Sequence, residues 1–241
     1  MRKGIEMRSF IVMAMFSASL AHASWSEYEE VRNLEVDAGG VSEFFIDAGA
    51  GSLTVNGDAG AKSIEVTATI QVNTGDEEKA LKAIAKRLTL TLDQNGDRAT
   101  LKSFFDNGMW GGTDGSVKLE ITMPTGIALR IDDGSGSIVI ENVEADVEIE
   151  DGSGSIKILN VGAVDIDDGS GSIDIHNANG DVVIVDGSGS IKVNAVNGSV
   201  TIDDGSGSIN VKDIENDLII EEDGSGGVTV SDVRGNVELD T

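Results

Sequence analysis

The sequence predicts a mainly β protein: a parallel β-solenoid with two strands per coil of about eighteen residues, preceded by a β-rich N-terminal region holding one helix. Three observations predict it. Asp-Gly-Ser-Gly recurs with its aspartate at positions 133, 151, 168, 186, 204 and 223, at intervals of 17 to 19 residues. Branched aliphatic residues align in columns from copy to copy, as in Ile138, Ile156, Ile173, Ile191 and Ile209, or Val147, Val164, Val182 and Val200. Between the columns falls a second punctuation by Gly or Asn, at Gly180, Asn197-Gly198 and Gly235-Asn236.

Each unit thus carries two short strands of period-2 alternation, rich in β-branched residues, and two bends. One strand pair cannot bury its apolar face alone, but stacked copies share a continuous core. Coils spaced at about 4.8 Å make six of them a rod about 29 Å long. A meander or propeller blade would not require the bends to repeat residue by residue. The net charge of −26 and 31 glycines argue for disorder, yet sustained aliphatic alternation argues against it and prevails.

Residues 1–23 read as a cleaved signal peptide. Arg2, Lys3 and Arg8 precede the apolar run FIVMAMFSASL, and Ala21-His22-Ala23 supplies a small-x-small cleavage site. That run is shorter than the about 20 residues that span a bilayer. The expectation is export to the periplasm, the cell surface or the medium, with the mature chain starting at Ser24. No other run is long enough to span a membrane. The absence of cysteine excludes a disulfide framework and a lipid-modified cysteine. Loss of the leader, with three basic residues against Glu6, makes the balance more negative still. Such a chain repels phosphate backbones and anionic lipids, so nucleic acid is excluded as a partner class and cations or basic partners are favoured.

Residues 24–112 are expected to form a β-rich capping region. VSEFFIDAGAGSLTVNG and SIEVTATIQV read as strands. DEEKALKAIAKRL, residues 76–88, reads as a helix with an acidic first turn and Lys86 and Arg87 in its last; Leu81, Ile84, Ala85 and Leu88 share one face. LTLTLDQNGDRATLKSFF reads as a hairpin turning at Asn95-Gly96. Trp110, in the loop that follows, reads as a packing aromatic. Residues 113–241 hold the solenoid, entered through VKLEITMPTGIALRID and the sole proline, Pro124.

This order of elements, with AGAGSLTV, the VKLEITMP entry and the repeated GSGSI coils, resembles the bacterial "putative adhesin" or β-strand-repeat family of unknown function, related to head-GIN-type domains. The resemblance covers most of the mature chain. It implies an extracytoplasmic β-solenoid without known catalytic residues, so no functional residue is carried over.

The glycines of each bend read as tight-corner residues, and the aspartates as acceptors for their own turn's N–H groups. Stacking places Asp133, Asp151, Asp168, Asp186, Asp204 and Asp223 in one acidic column. A second acid precedes most of them, at Asp132, Glu150, Asp167, Asp203 and Glu222; Val185 interrupts. Like charges at about 4.8 Å repel by roughly 1 kcal/mol in water and several times that near a protein surface. Backbone donors could satisfy the column, or weakly bound Ca²⁺ could sit along it. The calcium-binding nonapeptide roll has a similar period, but its ligand aspartate falls on Ile138 here and on the matching residue of later coils.

Catalytic chemistry finds few residues. Outside the leader, His176 is the only histidine, and it reads as a solvated outward side chain. No Ser–His pair, metal-type histidine cluster or phosphate loop is present. The expected function is a non-enzymatic extracytoplasmic scaffold for surface or envelope interactions, adhesin-like, with no cofactor. The alternatives are a Ca²⁺-responsive acidic binding roll and, less supported, a carbohydrate-active β-helix enzyme. Val228, Val230 and Leu239 on the last coil suggest an uncapped edge, and with it end-to-end pairing of two copies.

Overall fold

The computed structural model describes residues 27–106 and 115–240, excluding the side chains of residues 222 and 223. The expected signal peptide and Trp110 lie outside the described residues, as does the Asp223 side chain. In the N-terminal region the elements are β1 (Tyr28–Asp37), β2 (Glu43–Ala50), β3 (Leu53–Gly57), β4 (Ser63–Val72), α1 (Glu77–Arg87), β5 (Leu88–Asn95), β6 (Arg98–Phe105) and β7 (Gly115–Met123). The long β8 (Ala128–Val143) runs through a corner and joins two sheets.

Beyond it the strands alternate between the sheets. β10 (Gly154–Val161), β12 (Gly171–Ala178), β14 (Gly189–Val196), β16 (Gly207–Ile214) and β18 (Gly226–Val233) build the first sheet in parallel order from β8. β9 (Val147–Asp151), β11 (Val164–Asp168), β13 (Val182–Asp186), β15 (Val200–Asp204), β17 (Leu218–Asp223) and β19 (Val237–Leu239) build the second. Successive copies therefore lie one rung above another. Residue pairs such as Ile156 with Ile173 and Ile166 with Ile184 sit directly in register.

Alternation within each strand sends every second side chain into the narrow space between the sheets. The row Ile138, Ile156, Ile173, Ile191 and Ile209 is at most 1% exposed throughout. Full burial of each such side chain contributes about 1.5–3 kcal/mol, and the rows run without interruption from coil to coil.

The stack begins inside the expected capping region. β2 and β3 pair in parallel with β8, aligning Asp47-Ala48-Gly49-Ala50 with Asp132-Asp133-Gly134-Ser135 and Leu53 with Ile138. Ala-Gly-Ala-Gly-Ser-Leu is therefore one further bend of the Asp-Gly-Ser-Gly-Ser-Ile type. Further out the sheets turn antiparallel: β7 is followed by β4 and β1 in one, and β6 by β5 in the other.

α1 links β4 to β5, with Asp76 as its N-cap accepting from the Lys79 amide at 3.1 Å. Its predicted inner face needs correction. Ala80, Ala83 and Ile84 are buried, whereas Leu81 is 45% exposed and Ala85 is also outside. The side-chain sizes explain the rotation: two alanines let a short helix lie close, and the longer Leu81 is left at its flank. Among the described residues β18 and β19 pair on one edge only, and Val237 and Leu239 are half exposed. No helix among them is long and apolar enough to cross a membrane.

Candidate functional site

The repeated bend is where the structure gathers its chemistry. Its backbone N–H groups point in three directions. The first glycine donates to the aspartate carbonyl of the preceding coil, as Gly169 does to Asp151 at 2.9 Å. The second donates to the serine carbonyl of the following coil, as Gly171 does to Ser188 at 2.9 Å. The serine between them donates to its own aspartate: Ser153, Ser170, Ser188 and Ser206 reach the Oδ1 of Asp151, Asp168, Asp186 and Asp204 at 3.0–3.2 Å. The expected capping turn is therefore present at these four bends, where the N–H groups of both glycines and of the serine between them are accounted for.

The second glycine adopts φ of +141° to +157° at Gly136, Gly154, Gly171, Gly189 and Gly207. A Cβ on Gly171 would overlap the carbonyl of Gly154. Coils touch backbone to backbone here, which is why no other residue occupies the column.

The aspartates are turned inward. Asp133, Asp151, Asp168, Asp186 and Asp204 are 4%, 6%, 1%, 2% and 0% exposed. With Oδ1 committed to the turn, the Oδ2 atoms of Asp151, Asp168 and Asp186 are buried without a hydrogen-bond partner, and so is that of Asp133. Burial raises all four carboxyls: Asp133 to about 7 and Asp186 to about 6, with Asp151 and Asp168 also raised. Repulsion from neighbouring column members adds to burial, and turn N–H donation opposes it. Among the described residues no three His, Asp or Glu side chains converge as a metal site requires.

At the N-terminal end the column meets Ala48. This residue stands between Ser103 of β6 and Asp133 of β8 in the strand register. Its methyl group replaces a carboxyl and leaves a cavity of about 10 Å³, lined in part by Ala48, Ser103 and Asp133. Ser103 is 2% exposed and its Oγ has no partner.

The outer faces of the two sheets differ. From β8 to β15 the second sheet turns out Asp132, Glu148, Glu150, Asp165, Asp167 and Asp203 against a single cation, Arg130, which pairs with Glu148 at 3.1 Å and Glu150 at 2.9 Å. Val183 and Val185 interrupt these acids and are 39% and 44% exposed. The first sheet turns out Lys157, Lys192 and Lys212 with Glu141 and Asp174. His176, expected to be solvated, is instead held there: Nε2 lies 3.0 Å from Asp174 Oδ1, and Nδ1 lies 3.2 Å from the Asn194 amide nitrogen. The parallel register places Asn194 directly across from His176, a pairing hidden in a sequence separation of 18.

A second column was missed in the sequence. Asn142, Asn160, Asn177, Ala195, Asp213 and Asp232 all have φ between +56° and +61°. Each is an extra residue before the second bend, so the inward positions fall at Ile156, Ile158 and then Val161. The asparagines bond along the stack, Asn142 to Asn56, Asn160 to Asn142 and Asn177 to Asn160, each at 3.0 Å. The signal was available, since Asn and Asp are enriched in this conformation.

No protein-family model matches the chain, and no curated protein does. Several solved structures are similar in fold. A putative adhesin from Bacteroides fragilis is 15% identical with a TM-score of 0.43, over 88% of this chain and 97% of that one. A putative lipid binding protein from Parabacteroides distasonis is 12% identical with a TM-score of 0.42, over 87% and 94%. A putative cell adhesion protein from Clostridium sporogenes is 12% identical with a TM-score of 0.33, over 88% and 98%.

Proposed function

We propose that the protein is a non-enzymatic scaffold working outside the cytoplasm, and that the acidic outer face of the second sheet is its interaction surface. The observation that carries this reading is the asymmetry of the two faces. From β8 to β15 six exposed or partly exposed acids share this face with a single cation, Arg130, and an exposed valine pair lies among them. A flat sheet bearing charge around a small apolar centre suits a basic protein surface better than a small substrate, which needs an enclosing cleft. The basic leader followed by an apolar run supports export.

The test is adsorption of the purified chain to envelope preparations and to immobilised basic protein, across a salt series. The expected outcome is salt-sensitive retention. It is lost when Asp165 and Asp167 become Asn and Val183 and Val185 become Ser, and kept when Lys157 and Lys192 become Ala. Equal retention of both variants, or turnover of any member of a polysaccharide panel, overturns the reading. The same proposal includes end-to-end pairing through the exposed edge of β18 and β19. Sedimentation at high salt, where the negative ends no longer repel, is expected to show a dimer; a monomer at both low and high salt removes that part.

A further inference from the structure

We propose that the aspartate column is a proton-binding site: the folded chain holds these carboxyls as neutral acids stacked along the corner, and it takes protons up as it folds. The first support is an accounting of donors. In Asp151, Asp168 and Asp186 the turn satisfies Oδ1 at 3.0–3.2 Å, and nothing reaches the buried Oδ2. An ionised carboxylate in that setting would hold its charge out of solvent with no counter-ion and only turn N–H donation at Oδ1 to offset it, an arrangement costing more than neutralising the group. A protonated carboxyl removes the charge and turns Oδ2 into a donor that can face the next carboxyl along the stack.

The second support lies outside the column. Ser103 belongs to β6, two strands from Asp133, and its buried Oγ is also without a partner. Both groups line the cavity left by Ala48, whose volume of about 10 Å³ suits a single water. A water there would receive the end of the acid stack and hand its hydrogen bond to Ser103.

The surroundings offer no compensating charge. Column members face one another on β8, β9, β11, β13 and β15. Asp132 and Asp167 add further negative charge beside Asp133 and Asp168. On the N-terminal side, β2, β6 and β7 present Ala48, Ser103, Val117 and Leu119, none of them charged. None of the four aspartates from Asp133 to Asp186 enters a salt bridge with a described residue. The consequence is a sign. The folded pKa values, about 6 at Asp186 and about 7 at Asp133, lie above the unfolded value of about 3.9. The contribution is therefore full below that unfolded value and is lost as pH rises through 6 to 7.

The experiment follows the carboxyl carbon resonances of Asp133 and Asp186 in the full chain from pH 4 to pH 8.5. It also compares Tm at pH 5 and pH 8 for the unmutated chain and for Asp186→Asn, with and without millimolar Ca²⁺. Asn keeps the Oδ1 that accepts from Ser188 and places a permanent N–H donor where the proton sits. The expected results are titration near pH 6 for Asp186 and near pH 7 for Asp133, with a Tm lower at pH 8 than at pH 5. Asp186→Asn should raise the Tm at pH 8 by several degrees and weaken the pH dependence, and Ca²⁺ should leave it unchanged. Titration of both carboxyls near pH 4 overturns the proposal. So does a Tm raised by Ca²⁺ in the unmutated chain and lowered by Asp186→Asn, which would make the column a cation site. Should Asp186→Asn fail to fold, the resonances of the unmutated chain decide alone.

Discussion

From β9 to β19 every strand pairs with the strand one coil before it, in the same direction and nearly without slippage. In the N-terminal region the same two sheets continue, through β3, β7, β4 and β1 on one side and β2, β6 and β5 on the other, parallel as far as β7 and β6 and antiparallel beyond them. The solenoid gains by repetition: each inward row is extended by the next copy at no cost in new geometry. The N-terminal region gains by closure, because antiparallel strands and α1 end the stack without exposing another parallel edge. The difference is one of local backbone freedom. A parallel coil requires two bends per turn that touch their neighbours, whereas antiparallel β5 and β6 are joined by an exposed hairpin turn at Asn95-Gly96 and β4 pairs with β1 and β7 without any stacked bend.

The largest expected effect breaks that comparison at its bends. Gly171→Ala places a methyl group into the Gly154 carbonyl at φ +151°. Both coils would have to separate, and a loss above about 4 kcal/mol is expected. Gly40→Ala, in the turn between β1 and β2, also sits at positive φ (+82°) but has no atom within 4 Å of the added Cβ. It should lose only about 1–2 kcal/mol, the intrinsic cost of the left-handed backbone. Urea denaturation measures both. Equal losses would mean that coil-to-coil contact at the bend contributes nothing beyond the backbone conformation.

That contrast also explains what could be read in advance. The coils were legible because the sequence aligns with itself: Ile156 and Ile173 identify one another, and Asp168 with Gly169 and Gly171 announces a bend. The coil built by β2 and β3 was not recognised as such, because Ala48 and Ala50 stand where later copies have Asp and Ser. The inner face of α1 was misjudged because a size-based reading prefers Leu81 to Ala80 and Ala83, while close approach prefers the alanines. The acid column could be listed from the sequence. Its burial could not, since a turn aspartate is normally a surface residue, and only the stacked geometry shows that Oδ2 is closed off. The unequal charge of the two faces needed the strand register before alternate acids could be assigned to one side.

The smallest expected effect sharpens the comparison, because it concerns the ladder that joins the two regions. Asn56 of β3 accepts from Asn142, and the chain of side-chain bonds continues through Asn160 to Asn177. It stops at Ala195, which keeps φ at +60° without a side chain able to offset that conformation. Ala195→Asn should relieve part of the left-handed cost and let Nδ2 donate to Asn177 Oδ1, repeating the bond at 3.0 Å between Asn177 and Asn160. A gain of about 1 kcal/mol is expected, since the new bond is solvent-exposed and most of the benefit comes from the backbone. Asn160→Ala should lose about 1–2 kcal/mol, because it imposes the same conformation on alanine and cuts the ladder on both sides. Paired thermal melts of the two variants check this. If Ala195→Asn lowers the Tm, the column is set by packing at the second bend, and its asparagines follow the backbone instead of holding it.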